Sequence, residues 1–452
     1  MMGLPLLHHY GEREKASEPL KGYVLILIQH LLSDVKDFLK ALEVAGADKK
    51  RMFIIGIPYS SKEEVVADLK QKYKVYAPTS YPFDEYVEDA LRKALEICKR
   101  ESLSLLIIED GGYAVPMIHE RFRDCIGYCK GAVEQTTNGI WRDEELVLKR
   151  GLKFEFPLVS IPDCKLKREI EAPFIGKAVI RNIQILLSKI GQFIEGKKVG
   201  IVGYGTIGRK IADEAKNQKA IVSVSEINPV KSLIARLSGF DTKSIPDLVK
   251  ESDLIIGATG RKSIGRAEIL DLKNNAVLAS ASSKRVEIDI EELESLCIER
   301  NPTEIGTYYE LANGNKVLLL ANGFPINFFS SESVPDRIID VILTLMFSNV
   351  ISLAKGEIYL FSISANFKRE LENKRISEDL KIIFEENECR LPSNAKISII
   401  NGKEWIIKNE KERYIVRESN NQLLVYEESK SKIYKCSSNE DEIAELFHEI
   451  HF

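Results

Sequence analysis

Lys197-Lys-Val-Gly-Ile-Val-Gly-Tyr-Gly-Thr-Ile-Gly208 decides how this chain is read: an apolar run opens onto glycines, and Arg209 to Asn217 continues with helical composition. Gly203, Gly205 and Gly208 keep the G-x-G-x-x-G spacing in the strand–turn–helix context that gives that spacing meaning. The glycines permit a tight turn, close approach of a pyrophosphate to the backbone, and close strand–helix packing, while the helix start supplies amide donors. Gly203, Gly205, Thr206, Ile207 and Gly208 are therefore candidate cofactor-binding residues. Glu226 ends the next apolar strand, 18 residues past Gly208. A carboxylate there accepts from both ribose hydroxyls of an adenosine and repels a 2'-phosphate, so NAD is expected over NADP. The competing reading, a glycine turn in a nucleotide-free domain, leaves the acid at the strand end unexplained. Thr259 and Gly260 close a further strand at the carboxyl edge, where a cofactor contact and an ordinary strand-end cap stay equally open.

Outward from that turn, strand-like runs alternate with amphipathic stretches on both sides. Upstream lie Tyr23 to Gln29, Met52 to Ile57 and Leu103 to Ile108, interleaved with Ser33 to Val44, Glu63 to Lys72 and Asp84 to Lys99. Downstream lie Ala220 to Glu226, Leu254 to Gly257 and Ala276 to Ser280, after a helical stretch from Lys177 to Ile194. Such alternation argues for parallel sheets with crossover helices. The Asn313-Gly314 pair between apolar residues reads as a hairpin, and Asp336 to Ala354 as a long apolar helix. From Ala395 to Lys435, short alternating segments look like antiparallel strands. The expected fold class is α/β: two doubly wound Rossmann-like domains joined by a hinge, plus a small C-terminal β-rich α+β module. The expected boundaries are 1–176 for a substrate-like domain, with 328–355 packing back on it, 177–327 for an NAD domain, and 356–452 for the accessory module.

The 452 residues suggest two or three domains at ~150 residues each. With 44% hydrophobic and 29% charged residues the composition is that of a folded chain. Sixty-four basic residues against 68 acidic ones give a charge of -4, which offers no general attraction for nucleic acid or an anionic membrane. The runs singled out as most apolar, Val24 to Ile28 and Val317 to Ala321, are strand length, so no membrane span is expected. No leader pattern opens the chain, and a cytoplasmic location follows as an expectation. The seven cysteines are scattered and read as reduced thiols. Cys125 and Cys129 would share a helical face, but without nearby histidines they make a poor zinc site, and no metal is expected.

Beyond the glycine turn, several segments resemble the S-adenosylhomocysteine hydrolase family, in the family's order. They are Ile108-Glu-Asp110-Gly-Gly112, Glu134-Gln-Thr136-Thr137-Asn138-Gly139, the glycine turn with Glu226-Ile-Asn-Pro229, Val286-Glu-Ile-Asp289, and Leu318-Leu-Leu-Ala-Asn-Gly323 with Asn327. The resemblance implies tightly held NAD used in a closed cycle. The 3'-hydroxyl of a nucleoside is oxidised, the C4' proton becomes acidic, the 5'-thiol is eliminated, water adds, and the ketone is reduced back. It further implies that His30 is an acid/base at the 5' side and Asp110 the catalytic aspartate, and that Lys167 lies beside the ribose hydroxyls, where an ammonium steadies an oxyanion. Thr136, Thr137 and Asn138 match a run reaching the nicotinamide half of NAD, and Asn327 matches a cofactor-contacting asparagine. The partners implied are a nucleoside-type small molecule and further copies of the chain as a homo-oligomer.

Other positions depart from the family. Gln135 and Glu171 occupy catalytic positions with altered side chains, Gln135 replacing a glutamate and Glu171 an aspartate. Ala172, Ser283 and Val334 stand where the family has an asparagine and two histidines, and Leu32 and Asp34 fall at base-gripping positions. The family's C-terminal Lys-x-x-x-Tyr tail is replaced by Leu-Phe-His-Glu-Ile-His-Phe. Three readings follow: an enzyme running the 3'-oxidation cycle with altered base recognition, a catalytically silent NAD-binding paralogue acting by association, or a dehydrogenase that releases NADH. For His30, Asp110 and Lys167 taken singly, structural roles compete: a satisfied strand-end histidine, ordinary Asp-Gly turn chemistry, and a solvated basic face shared with Lys165 and Arg168.

Overall fold

The computed structural model describes residues 3–151, 154–162, 164–329, 333–358 and five short strands between 396 and 435. The described chain divides into two compact units, one comprising Pro5–Ile57, Glu63–Cys164 and Leu343–Phe452, the other Met1–Leu4, Pro58–Lys62 and Lys165–Ile342.

In the first unit, helices α1 (Pro5–Glu14), α2 (Val35–Val44), α3 (Glu63–Lys70), α4 (Asp84–Glu101), α5 (Ala114–Arg121) and α6 (Thr137–Arg150) connect strands β1 (Tyr23–Gln29), β2 (Met52–Gly56), β3 (Lys74–Tyr76), β4 (Ser104–Glu109), β5 (Cys129–Glu134) and β6 (Leu158–Ser160). These strands pair in the order β6-β5-β4-β1-β2-β3, all parallel. Val24 to Ile28 and Leu105 to Ile108 are wholly buried, as strands covered on both faces must be.

The second unit runs from α7 (Ala172–Ser188) through β7 (Lys198–Val202), α8 (Thr206–Asn217), β8 (Ile221–Ser225), α9 (Pro229–Leu237), β9 (Asp241–Thr242), α10 (Ile245–Glu251), β10 (Leu254–Gly257), α11 (Arg266–Leu270), β11 (Ala276–Ser280), α12 (Ile290–Ser295), β12 (Cys297–Thr303) and β13 (Gly306–Leu311) to β14 (Lys316–Leu320). The strand order is β12-β13-β14-β11-β10-β7-β8-β9, with β14 to β9 parallel and the β12–β13–β14 meander antiparallel. Alternation decides which face each side chain takes. Leu254 and Ile256 enter the core cluster shared with α7 and α8, and Ile255 enters the cluster on the other face. The helix expected from Lys177 begins instead at Ala172, with Pro173 in its first turn, and ends at Ser188.

Helix α13 (Asp336–Ala354) is long and apolar enough to cross a membrane by length and composition, which corrects the reading that the longest apolar runs are strand length. Its most apolar stretch is 83% buried in the fold, so its composition is that of a core helix. Within the first unit, Tyr23 donates its hydroxyl proton to Ala354 O at 2.9 Å. Towards the C-terminus, β15 (Lys396–Asn401), β16 (Glu404–Lys408), β17 (Arg413–Ser419) and β18 (Gln422–Glu427) form an antiparallel sheet, whereas β19 (Ile433–Lys435) pairs in parallel with β6. The final heptapeptide singled out in the sequence lies outside the described residues.

The cysteine reading needs two corrections. Cys129 opens β5 and Cys125 lies in a 3-10 turn, Arg123–Tyr128, so they do not share a helical face. Cys98, Cys125, Cys129 and Cys297 are thiols, but Cys164 is disulfide-bonded.

Candidate functional site

Three strands of the first unit end in polar residues at the carboxyl edge, where parallel sheets place ligands. His30 follows β1, Asp110 follows β4, and Gln135 with Thr136–Asn138 follows β5. Asp110 N donates to Ile28 O and Gln135 N donates to Glu109 O, so the ladder carries one residue past the strands and keeps these groups in line. His30 Nε2 lies 3.3 Å from Asp110 Oδ2, with side chains only 14% and 4% exposed. A histidine and a carboxylate at that distance, largely removed from water, can share and relay a proton. Next to them, Gln29 Nε2 and Gln135 Oε1 are buried without a hydrogen-bond partner among the described residues. A buried polar atom of this kind is costly unless a ligand meets it.

Behind this edge sits a group that the sequence reading left without a role. Glu109 and Glu134 are register partners on β4 and β5 and are wholly buried. Glu109 accepts from the backbone N–H groups of Tyr113, Ala114 and Val115 and thereby caps the start of α5. Glu134 accepts from Gly111 N (3.0 Å), Gly112 N (2.9 Å), Thr136 N (2.6 Å) and Thr136 Oγ1 (2.7 Å). Asp143 completes a trio of buried carboxyls whose oxygens lie within 4.8 Å of one another. Burial pushes Glu134 up to about 8, and the negative charges of Glu109 and Asp110 add to the rise, against the Gly111 N–H and the Thr136 hydroxyl. Burial raises Glu109 as well, opposed by its three N–H donors and by Arg142. Arg142 donates to Gly111 O at 3.3 Å and lies 4.3 Å over the Tyr113 ring. The Thr136 hydroxyl also accepts from Gly139 N, so it caps α6 as well. Thr137 is exposed and Asn138 half-buried.

In the second unit, Lys167 and Glu171 belong to a single π turn, Lys167–Glu171, leading into α7. Their ion pair spans 2.8 Å with side chains 14% and 9% exposed, whereas Lys165 and Arg168 are exposed. That difference separates Lys167 from the solvated basic face. π turns concentrate at functional sites.

The glycine turn fits a dinucleotide. Gly203 has φ +99°, and a Cβ there would meet Ala258 O at 2.8 Å; a Cβ on Gly208 would overlap Gly203 O; Gly205 has open space where its side chain would be. No side chain caps the start of α8, so its first amides are left for a phosphate. Glu226 accepts from Tyr204 N at 2.7 Å and Asn228 N at 2.8 Å, which fixes its carboxylate beside the turn. Thr259 and Gly260 are held by the wholly buried Glu287. It accepts from Thr259 N and Gly260 N, both at 2.6 Å, from Thr259 Oγ1 and Ser263 Oγ, and from Ser282. Thr259 thus caps its strand end through Glu287. Asn327 is buried and donates to Ser333 Oγ at 2.8 Å, while Asn182 holds its turn by donating to Ile326 O and Asn327 O. Glu109, Glu134, Asn182 and Glu287, which hold these loops, are not among the candidate site residues read from the sequence. For Glu109 and Glu134 the signal is an acid ending an apolar strand two residues before Gly or Thr, which is weak without the fold; Asn182 and Glu287 carry no such signal.

The chain is similar to known proteins of one family. A family model described as S-adenosyl-L-homocysteine hydrolase, NAD binding domain, matches residues 184–333. Adenosylhomocysteinase of Pyrococcus abyssi is 32% identical over 346 residues, covering 76% of this chain and 79% of that protein. S-inosyl-L-homocysteine hydrolase of Methanopyrus kandleri is 31% identical, covering 78% and 81%. Adenosylhomocysteinase of Thermotoga maritima is 30% identical, covering 78% and 85%.

Proposed function

The chain belongs to the S-adenosylhomocysteine hydrolase family and binds NAD, and on that premise we propose that it reversibly cleaves a nucleoside thioether through oxidation at the 3' carbon, with altered base recognition. The buried His30–Asp110 pair at the carboxyl edge carries the reading. Held by the Gly203–Gly208 turn and Glu226, NAD would supply the acceptor and donor for hydride exchange at the 3' carbon. The pair passes a proton to the departing 5' sulfur and takes one back when water adds. Lys167, its charge balanced by Glu171, offers an ammonium to the 3' oxygen while negative charge develops there. Gln135 contributes hydrogen bonding without proton uptake. Leu32 is buried and apolar where the family has a threonine that grips the base, which supports altered base recognition. Relatives named adenosylhomocysteinase and S-inosyl-L-homocysteine hydrolase are 32% and 31% identical to the chain, which supports a purine nucleoside thioether as the substrate class.

The test is incubation of the full chain with both thioethers and a nucleoside panel, reading released thiol and bound NADH. Thiol release without net NADH supports the proposal. Accumulating NADH favours the releasing dehydrogenase, and neither signal with any nucleoside favours the silent paralogue. Assembly as a homo-oligomer in the cytoplasm is proposed with this reading. The exposed apolar side chains of Val230, Leu233 and Leu237 along α9 support assembly; native mass and cell fractionation check the two points.

A further inference from the structure

We infer that Glu134 is a positioning residue: its carboxyl group ties the Asp110 turn to the Thr136 turn, and so holds the proton pair in fixed relation to the segment assigned to the nicotinamide half of NAD. The inference rests on the functional reading above and goes beyond the residues that reading uses.

Sheet geometry places Glu134 out of reach of a substrate at the edge. Side chains one residue apart on a strand leave opposite faces, so Glu109 and Glu134 share one face while Asp110 and Gln135 take the other. Glu134 therefore acts from behind. Gly111 (φ +111°) and Gly112 (φ +63°) both occupy backbone conformations that side chains rarely adopt. Their N–H groups both turn toward Glu134, whose carboxyl oxygens accept from Gly111 N and Gly112 N and fill the concavity of the turn. The Asp-Gly-Gly sequence is thus explained by the carboxyl it receives, beyond ordinary turn chemistry.

The second turn closes on the same group. Thr136 donates both its N–H and its hydroxyl to Glu134 Oε1, and the hydroxyl accepts from Gly139 N, anchoring α6. Gly139 lies directly against the carboxyl; a Cβ there would overlap Glu134, and a Cβ on Gly112 would meet Gly139 O at 2.5 Å. Asp110, Gly111, Gly112, Thr136 and Gly139 thus form one locked unit around Glu134. With both oxygens of Glu134 engaged from two sides, neither turn can shift alone.

The test uses the full chain and two variants, Glu134→Gln and Glu134→Asp. Gln keeps one acceptor oxygen and turns an NH2 toward N–H donors; Asp keeps the carboxyl but retracts it. We expect both to retain NAD, whose adenosine half is held by the glycine turn and Glu226 away from the substituted carboxyl, with KM changed less than about threefold, because the side chains that face the substrate keep their identity. The kcat per NAD-bound site falls about 10- to 100-fold in Glu134→Gln and less in Glu134→Asp, the scale of loss for a displaced catalytic group. Hydrogen exchange at the Gly111, Gly112 and Thr136 amides rises about tenfold or more in Glu134→Gln. Parental kcat alongside deprotected amides overturns the inference, as does a loss of activity that merely follows lost NAD or unfolding. If Glu134→Gln does not fold, the same measurements on Glu134→Asp decide. A parent chain without turnover overturns the functional reading instead; the exchange data then judge the turn alone, and unchanged protection in both variants overturns the inference.

Discussion

Glu134 and Glu226 are both carboxylates met by backbone N–H groups, yet their surroundings give them opposite uses. Glu134 is wholly buried beside other acids and is pushed up to about 8, above the ~4.3 of a free glutamate. A group whose folded pKa lies above its unfolded value contributes stability below the unfolded pKa and loses it as pH rises through the folded one. Thermal unfolding should therefore show the parent losing its advantage over Glu134→Gln as pH rises from about 5 to about 9. An advantage that grows with pH would contradict this. Glu226 is half-buried, and its two N–H contacts leave lone pairs for a ribose. Hydrogen bonds to a charged group contribute about 1.5–3 kcal/mol. Glu226→Ser should thus bind NAD about 10- to 100-fold more weakly and narrow the preference over NADP, as read by titration calorimetry.

Elements repeat one device: a buried glutamate gathers the loop amides at a carboxyl edge, Glu134 for the β4 and β5 loops and Glu287 for the β10 loop. Neither role is visible in helix or strand periodicity, because each acid meets residues from another segment. The glycine turn and α8 behave differently, since their geometry is local. Gly208→Ala forces a Cβ onto Gly203 O and should cost about 1–3 kcal/mol in urea unfolding, with NAD content falling too. Helix α9 turns only Ala235 fully inward and exposes Leu233 at 57% and Leu237 at 79%. Replacing both leucines with glutamate should leave stability within about 0.5 kcal/mol, as for other exposed positions, while lowering the native mass of the proposed oligomer. An unchanged mass would remove α9 from the interface.

At the scale of the molecule, NAD binds the folded chain, so its removal should lower the unfolding temperature and its return should add about 2.7 kcal/mol at a hundredfold excess over Kd. Calorimetry with and without cofactor checks this. The sequence by itself determined the α/β alternation, the strands Tyr23–Gln29, Leu254–Gly257 and Ala276–Ser280 to the residue, the helix Asp336–Ala354 and the dinucleotide turn. Each depends on period, glycine spacing or an acid at a strand end, which act over a few neighbouring residues. Tertiary structure alone decided that Lys167 is a shielded ion pair and not a solvated charge, that Thr259 serves Glu287, that Cys164 is oxidised and that Glu134 joins two turns. Such facts depend on burial and on partners brought together from distant segments, and a linear pattern of residue types carries neither.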